Sequence, residues 1–142
     1  MHLFCPPEDL FALIINSEID ITNQGNIRKF QFISQYVGPY TGGLLFPNQS
    51  RDWFSSNLNV DLRMQIDFYR AGELLASKKT TSDYDPFYSN SGDGLMLFDI
   101  NVPEEIPVDE TLLCEVKILV ADTVLARKFG STRFYIKKLS EE

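Results

Sequence analysis

Apolar and polar residues alternate with a period of two along much of this chain, which predicts strands rather than helices. The clearest case is Val60 to Tyr69. Val60, Leu62, Met64, Ile66 and Phe68 fall on one side, and Asp61, Arg63, Gln65 and Asp67 on the other. Arg70-Ala71-Gly72-Glu73 then reads as a hairpin turn, with Leu74 to Thr81 as its return strand. A second unit runs from Thr111 to Leu139 and reads as two or three neighbouring strands. Cys114, Val116, Ile118 and Val120 share its buried side. Ala121-Asp122 can turn the chain, Gly130-Ser131 breaks it again, and Phe134 and Ile136 resume the alternation.

Upstream, Arg28 to Val37 places Phe30, Phe32 and Tyr36 on one face. Gly38-Pro39 interrupts it, because proline cannot donate to a ladder. Tyr40 to Phe46 continues with Gly42-Gly43 inside. Paired glycines there indicate a bulge, a close backbone approach, or a twisted strand crossing the sandwich. Leu10 to Ile15 is a short apolar run, compatible with a strand or a piece of helix. Ile19 and Ile21 extend it. Leu95 to Val102 aligns Met96, Phe98, Ile100 and Val102. Pro47 to Asn59 and Ser82 to Gly94 read as loops, the second being the longest stretch without structure. Pro103 to Glu110 is an acidic connection. The sum is an all-β antiparallel sandwich of about seven to nine strands in one domain, residues 1–142.

Charge narrows the partners. A formal net charge of −7 repels phosphate backbones and anionic lipid, so nucleic acid is not expected and another protein is. Three basic pairs, Lys78-Lys79, Arg127-Lys128 and Lys137-Lys138, read as solvated strand edges, where lysine blocks pairing with other chains. No apolar run approaches the ~20 residues needed to span a bilayer, so no transmembrane segment is expected.

The last third resembles the immunoglobulin-like sandwiches of bacterial envelope and accessory proteins. Leu95–Val102, the proline-bearing corner 103–107, Leu112–Val120 with its central Cys114, and a final hairpin strand follow an E–F–G arrangement. The resemblance implies an immunoglobulin-like fold, an extracytoplasmic setting in preference to a cytoplasmic one, and no activity of its own.

Candidate chemistry is sparse. The single histidine, His2, stands near the start of the sequence, and neither cysteine has a local base, so a nucleophile pair is not expected. Structural zinc needs four nitrogen or sulfur ligands, more than the histidine and two cysteines supply. A disulfide between Cys5 and Cys114 can form; the alternative is a buried Cys114 and a free Cys5. In the 82–94 segment, Asp83, Asp85, Asn90 and Asp93 offer oxygen ligands to calcium, although Phe87 and Tyr88 break the EF-hand spacing. The same segment carries Tyr84, Phe87 and Tyr88. With Trp53 and Phe54 they form a candidate binding patch, or they fold back to plug the open end of the sandwich.

No cofactor is called for. The expected function is a non-enzymatic binding or accessory module. The alternatives are an acidic immunity-type inhibitor of a toxic enzyme, and a calcium- or sugar-binding domain.

Overall fold

Strict alternation decides the four-stranded half of the molecule. In the computed structural model, which describes residues 13–47, 58–89 and 92–139 (backbone alone for 87–89), β4 (Arg63–Arg70) buries Met64, Ile66 and Phe68 completely. Val60 and Leu62, just before it, continue the same buried row. The β4–β5 hairpin, with β5 at Glu73–Lys79, turns through two residues. Ala71 and Gly72 both have positive φ, at 48° and 86°, which gives the turn the twist that flanking strands prefer.

The other strands are β1 (Leu13–Glu18), β2 (Ile27–Ile33), β3 (Gly38–Phe46), β6 (Asp85–Ser89), β7 (Gly92–Val102), β8 (Thr111–Val120) and β9 (Arg133–Lys138). Among the described residues they form two antiparallel sheets, ordered β1-β9-β3-β7-β6 and β2-β8-β4-β5. The expected all-β sandwich is therefore present. With edge strand β6 set aside, the interleaved order is that of a jelly roll.

Phenylalanines tie the sheets together. Phe32 meets Phe68 edge-on at 5.9 Å, Phe68 meets Phe98 at 6.5 Å, and Phe134 stacks between Phe98 and Phe30 at 6.1 and 5.6 Å. Phe68–Phe98 and Phe30–Phe134 cross the core from one sheet to the other, while Phe32–Phe68 and Phe98–Phe134 each lie within one sheet.

Five sequence expectations are corrected. The 121–131 stretch is not a hairpin turn region: Thr123–Phe129 is a helix, α1, and β8 and β9 lie in opposite sheets. Asp122 caps it, its Oδ1 accepting from the Leu125 amide at 2.9 Å, and Gly130 with φ 71° ends it. Leu125 and Phe129, four apart, both bury, and Phe129 stacks on Phe46 at 4.4 Å. The final hairpin of the E–F–G likeness is thus replaced by a crossover between sheets.

The 82–94 segment is no structureless loop, since β6 and β7 pair from Asp85↔Met96 to Ser89↔Gly92. Met96 does not align with Phe98. A bulge opposite Gly42-Gly43 inserts Leu97, so Met96 turns to the outer face beside Leu45 and Tyr135. Lys137-Lys138 is no exposed edge, because β9 lies between β1 and β3, and Lys138 is buried. Arg127-Lys128 falls in the last turn of α1, a position that suits positive charge.

The Gly42-Gly43 reading as a close approach is what the packing requires. A Cβ on Gly42 would overlap the Phe98 ring, and one on Gly43 the Leu95 carbonyl oxygen.

Candidate functional site

The candidate residues of the 82–94 segment divide between places. Tyr84 precedes β6, is half-buried and packs against the core. Phe87 and Tyr88 lie within β6, opposite Gly94 and Asp93. Trp53 and Phe54 lie outside the described residues, as do Asn90, Cys5 and His2.

Asp83 and Asp85 line a recess of about 330 Å³ together with Tyr84, Phe98 and Asp99. Asp93 is buried in β7, and its Oδ2 has no hydrogen-bond partner among the described residues. Asp85 sits opposite Met96, three residues farther along β7 than Asp93, which is roughly 10 Å of strand. The two carboxylates therefore do not converge. Among the described residues no group of three or more histidine, cysteine or acidic side chains is placed to hold a metal ion. Cys114 is a free, fully buried thiol whose pKa burial pushes far up, so it is not poised as a nucleophile.

A different surface presents a built recess. On the outer face of the four-stranded sheet, successive strands align side chains in rows that run across them. Gln31 faces Leu113, Leu113 faces Tyr69, and Tyr69 faces Leu74. Four strands at about 4.8 Å spacing make this row some ~14 Å long. The neighbouring row is Lys29, Glu115, Asp67 and Ser77. Between these rows and the Ala71-Gly72 turn lies a recess of about 440 Å³, with Thr111 also on its wall. That volume is at the lower end of the range for small-ligand sites.

Tyr69 is held in place from below. Gln65 Nε2 donates to both oxygens of Asp67, at 3.2 and 3.1 Å, and Ser77 Oγ donates to the same carboxylate. Asp67 in turn meets the Tyr69 phenol. Burial first, then the Asp67 and Glu115 charges, raises the Tyr69 pKa above its ordinary value, so the phenol is neutral and able to donate.

Charges around the recess are paired. Lys29 Nζ lies 3.8 Å from Glu115, and Arg70 lies 3.5 Å from both Glu73 and Glu110. Leu74 and Ile33, on the same sheet face, remain 53% and 44% exposed.

Sequence reading missed this site because Tyr69, Leu113 and Leu74 stand at positions that alternation assigns to the polar side. The available signal was large apolar residues on the wet side of three neighbouring strands. A third recess, of about 470 Å³, opens between Glu18, Asp20, Arg28 and Thr132. There Arg28 already donates to the Glu18 carbonyl at 2.6 Å, and Asp20 accepts from Thr22 and Asn23.

Compared with known protein families, with characterised proteins and with solved structures, the chain matches none.

Proposed function

We propose that this chain is a non-enzymatic binding module whose working surface is the outer face of the four-stranded sheet. The observation that carries this reading is the recess built by Gln31, Tyr69, Leu113, Thr111 and Glu115. Its groups stack and hydrogen-bond. The buried state of Cys114 supports the same reading, since it withdraws the one described thiol from chemistry.

Affinity capture with the full chain, run beside Leu113→Glu, tests the proposal. Leu113 is half-exposed on the face, so a charge there blocks the recess without entering the core. Ligand retained by the parent chain and lost by Leu113→Glu is the expected result. Retention by both chains would sink the reading, provided Val124→Ala, on the exposed side of α1, behaves like the parent.

A further inference from the structure

The outer-face recess has a composition that selects among ligands, and the following rests on the sheet-face reading above. We propose that it takes a neutral carbohydrate, with one pyranose ring seated on Tyr69 and Leu113. Three properties of the recess point the same way.

The first is its floor. Tyr69 and Leu113 are adjacent across the β4–β8 ladder, giving an aromatic plane continued by an aliphatic one. A sugar ring has a face of C–H groups that fits such a floor.

The second is its rim. Gln31 and Thr111 are exposed and make no side-chain hydrogen bond to any described residue. The amide offers donors and an acceptor, and the hydroxyl offers both, which matches a ring edged with hydroxyls. A wholly apolar ligand would cover these groups and leave them unpaired.

The third is its charge. The chain carries −7 overall, yet the Glu115 carboxylate on the wall is already paired with Lys29, and Arg70 at the turn is paired with Glu73 and Glu110. With these charges matched at the surface, the recess presents no unpaired charge among its described lining residues to select an ionic ligand, and a neutral polar one fits it. Asp67 accepts the single O–H of the Tyr69 phenol, which leaves the phenol oxygen as an acceptor toward a hydroxyl of the bound ring.

Calorimetric titration of the full chain with short neutral oligomers of glucose, mannose, galactose and N-acetylglucosamine tests this. The expected result is binding of at least one oligomer, weakened about tenfold or more by Tyr69→Ala and only slightly by Tyr69→Phe. Gln31→Ala, at an exposed edge-strand position, is the second variant and is expected to weaken the same oligomer. Circular dichroism of each variant separates a lost site from a lost fold. Failure of every oligomer to bind overturns the assignment, as does unchanged affinity in folded Tyr69→Ala and Gln31→Ala. If no sugar binds while Leu113→Glu still abolishes capture, the carbohydrate assignment falls and the sheet-face reading stands. If capture is also unchanged, both fall.

Discussion

The two outer faces of the sandwich treat their central tyrosine in opposite ways. On the five-stranded sheet, Tyr135 is fully buried beside Leu45, and its hydroxyl donates to the Leu95 carbonyl at 3.2 Å. Thr41, next to it on β3, is also buried and donates to the Phe98 carbonyl at 3.1 Å. These carbonyls flank the bulge at Met96-Leu97, where the ladder is broken. The outward polar groups of that sheet thus satisfy its own backbone. On the four-stranded sheet the ladder from Tyr69 to Leu113 is regular, the register shift lies on the β5 side of β4 between Phe68 and Tyr69, and among the described residues the phenol meets the Asp67 side chain. What separates the two tyrosines is their hydrogen-bond partner: the Tyr135 hydroxyl serves a backbone carbonyl inside its sheet, while the Tyr69 phenol lies on the outer face against a side chain.

The largest expected effect comes from forcing the bulged region apart. Gly43→Ala sets a methyl group against the Leu95 carbonyl, which is backbone and cannot swing aside. A loss of about 3 kcal/mol is expected in urea unfolding. An unchanged midpoint would mean that the close approach at Gly43 is not needed.

Next, removing one hydroxyl on each face sharpens the contrast. Tyr135→Phe leaves the Leu95 carbonyl buried and unpaired there, at a cost of about 1–2 kcal/mol. Tyr69→Phe is expected to change stability by no more than about 0.5 kcal/mol. Equal losses would erase the distinction between the faces.

Alkaline titration probes the same pair. Burial holds the Tyr135 pKa well above the ordinary 10.0. The unfolded chain therefore releases this proton first, and the folded state binds more protons above that value. Stability is unaffected by this group below pH 10.0 and falls as pH rises beyond it toward the folded-state value. Tyrosinate absorbance from Tyr135 should rise only as the fold is lost, and Tyr135→Phe should flatten the alkaline decline. A decline of equal slope in that variant would assign it elsewhere.

The smallest effect is at the turn beside the recess. Ala71 sits at φ 48°, a conformation costly for a residue with a plain Cβ. Ala71→Asn is expected to stabilise the chain by about 0.5–1 kcal/mol in thermal unfolding. Destabilisation would show that the alanine methyl is needed at the recess wall.

Much of the architecture was legible because burial follows parity. Met64, Ile66 and Phe68 are inward as alternation requires, and the Arg70–Glu73 turn stands where Ala-Gly placed it. Parity says which side of a strand is buried but not which sheet the strand joins. Hence β8 and β9 read as neighbours although they face each other across the core. A one-residue bulge also inverts parity, which put Met96 on the wrong face. The helix went unseen because two buried residues, Leu125 and Phe129, are too few to establish a helical period. Its Asp122 and Gly130 caps were read as turns. Asp122 does more than cap: its Oδ2 also accepts from the Asp61 and Leu62 amides, at 2.9 and 3.2 Å, a tertiary role no local pattern encodes. The recess escaped for a similar reason, since Gln31, Tyr69 and Leu113 come together only through register.

Pairing of β9 between β1 and β3 also bears on how the chain is made. Leu13 stands opposite Lys137, so the first described strand finds its neighbour only after the long stretch between them has emerged. The β4–β5 hairpin can zip locally and early, whereas the five-stranded sheet keeps two strand edges open until its last member arrives. During synthesis those edges are the part of this protein most exposed to pairing with other chains.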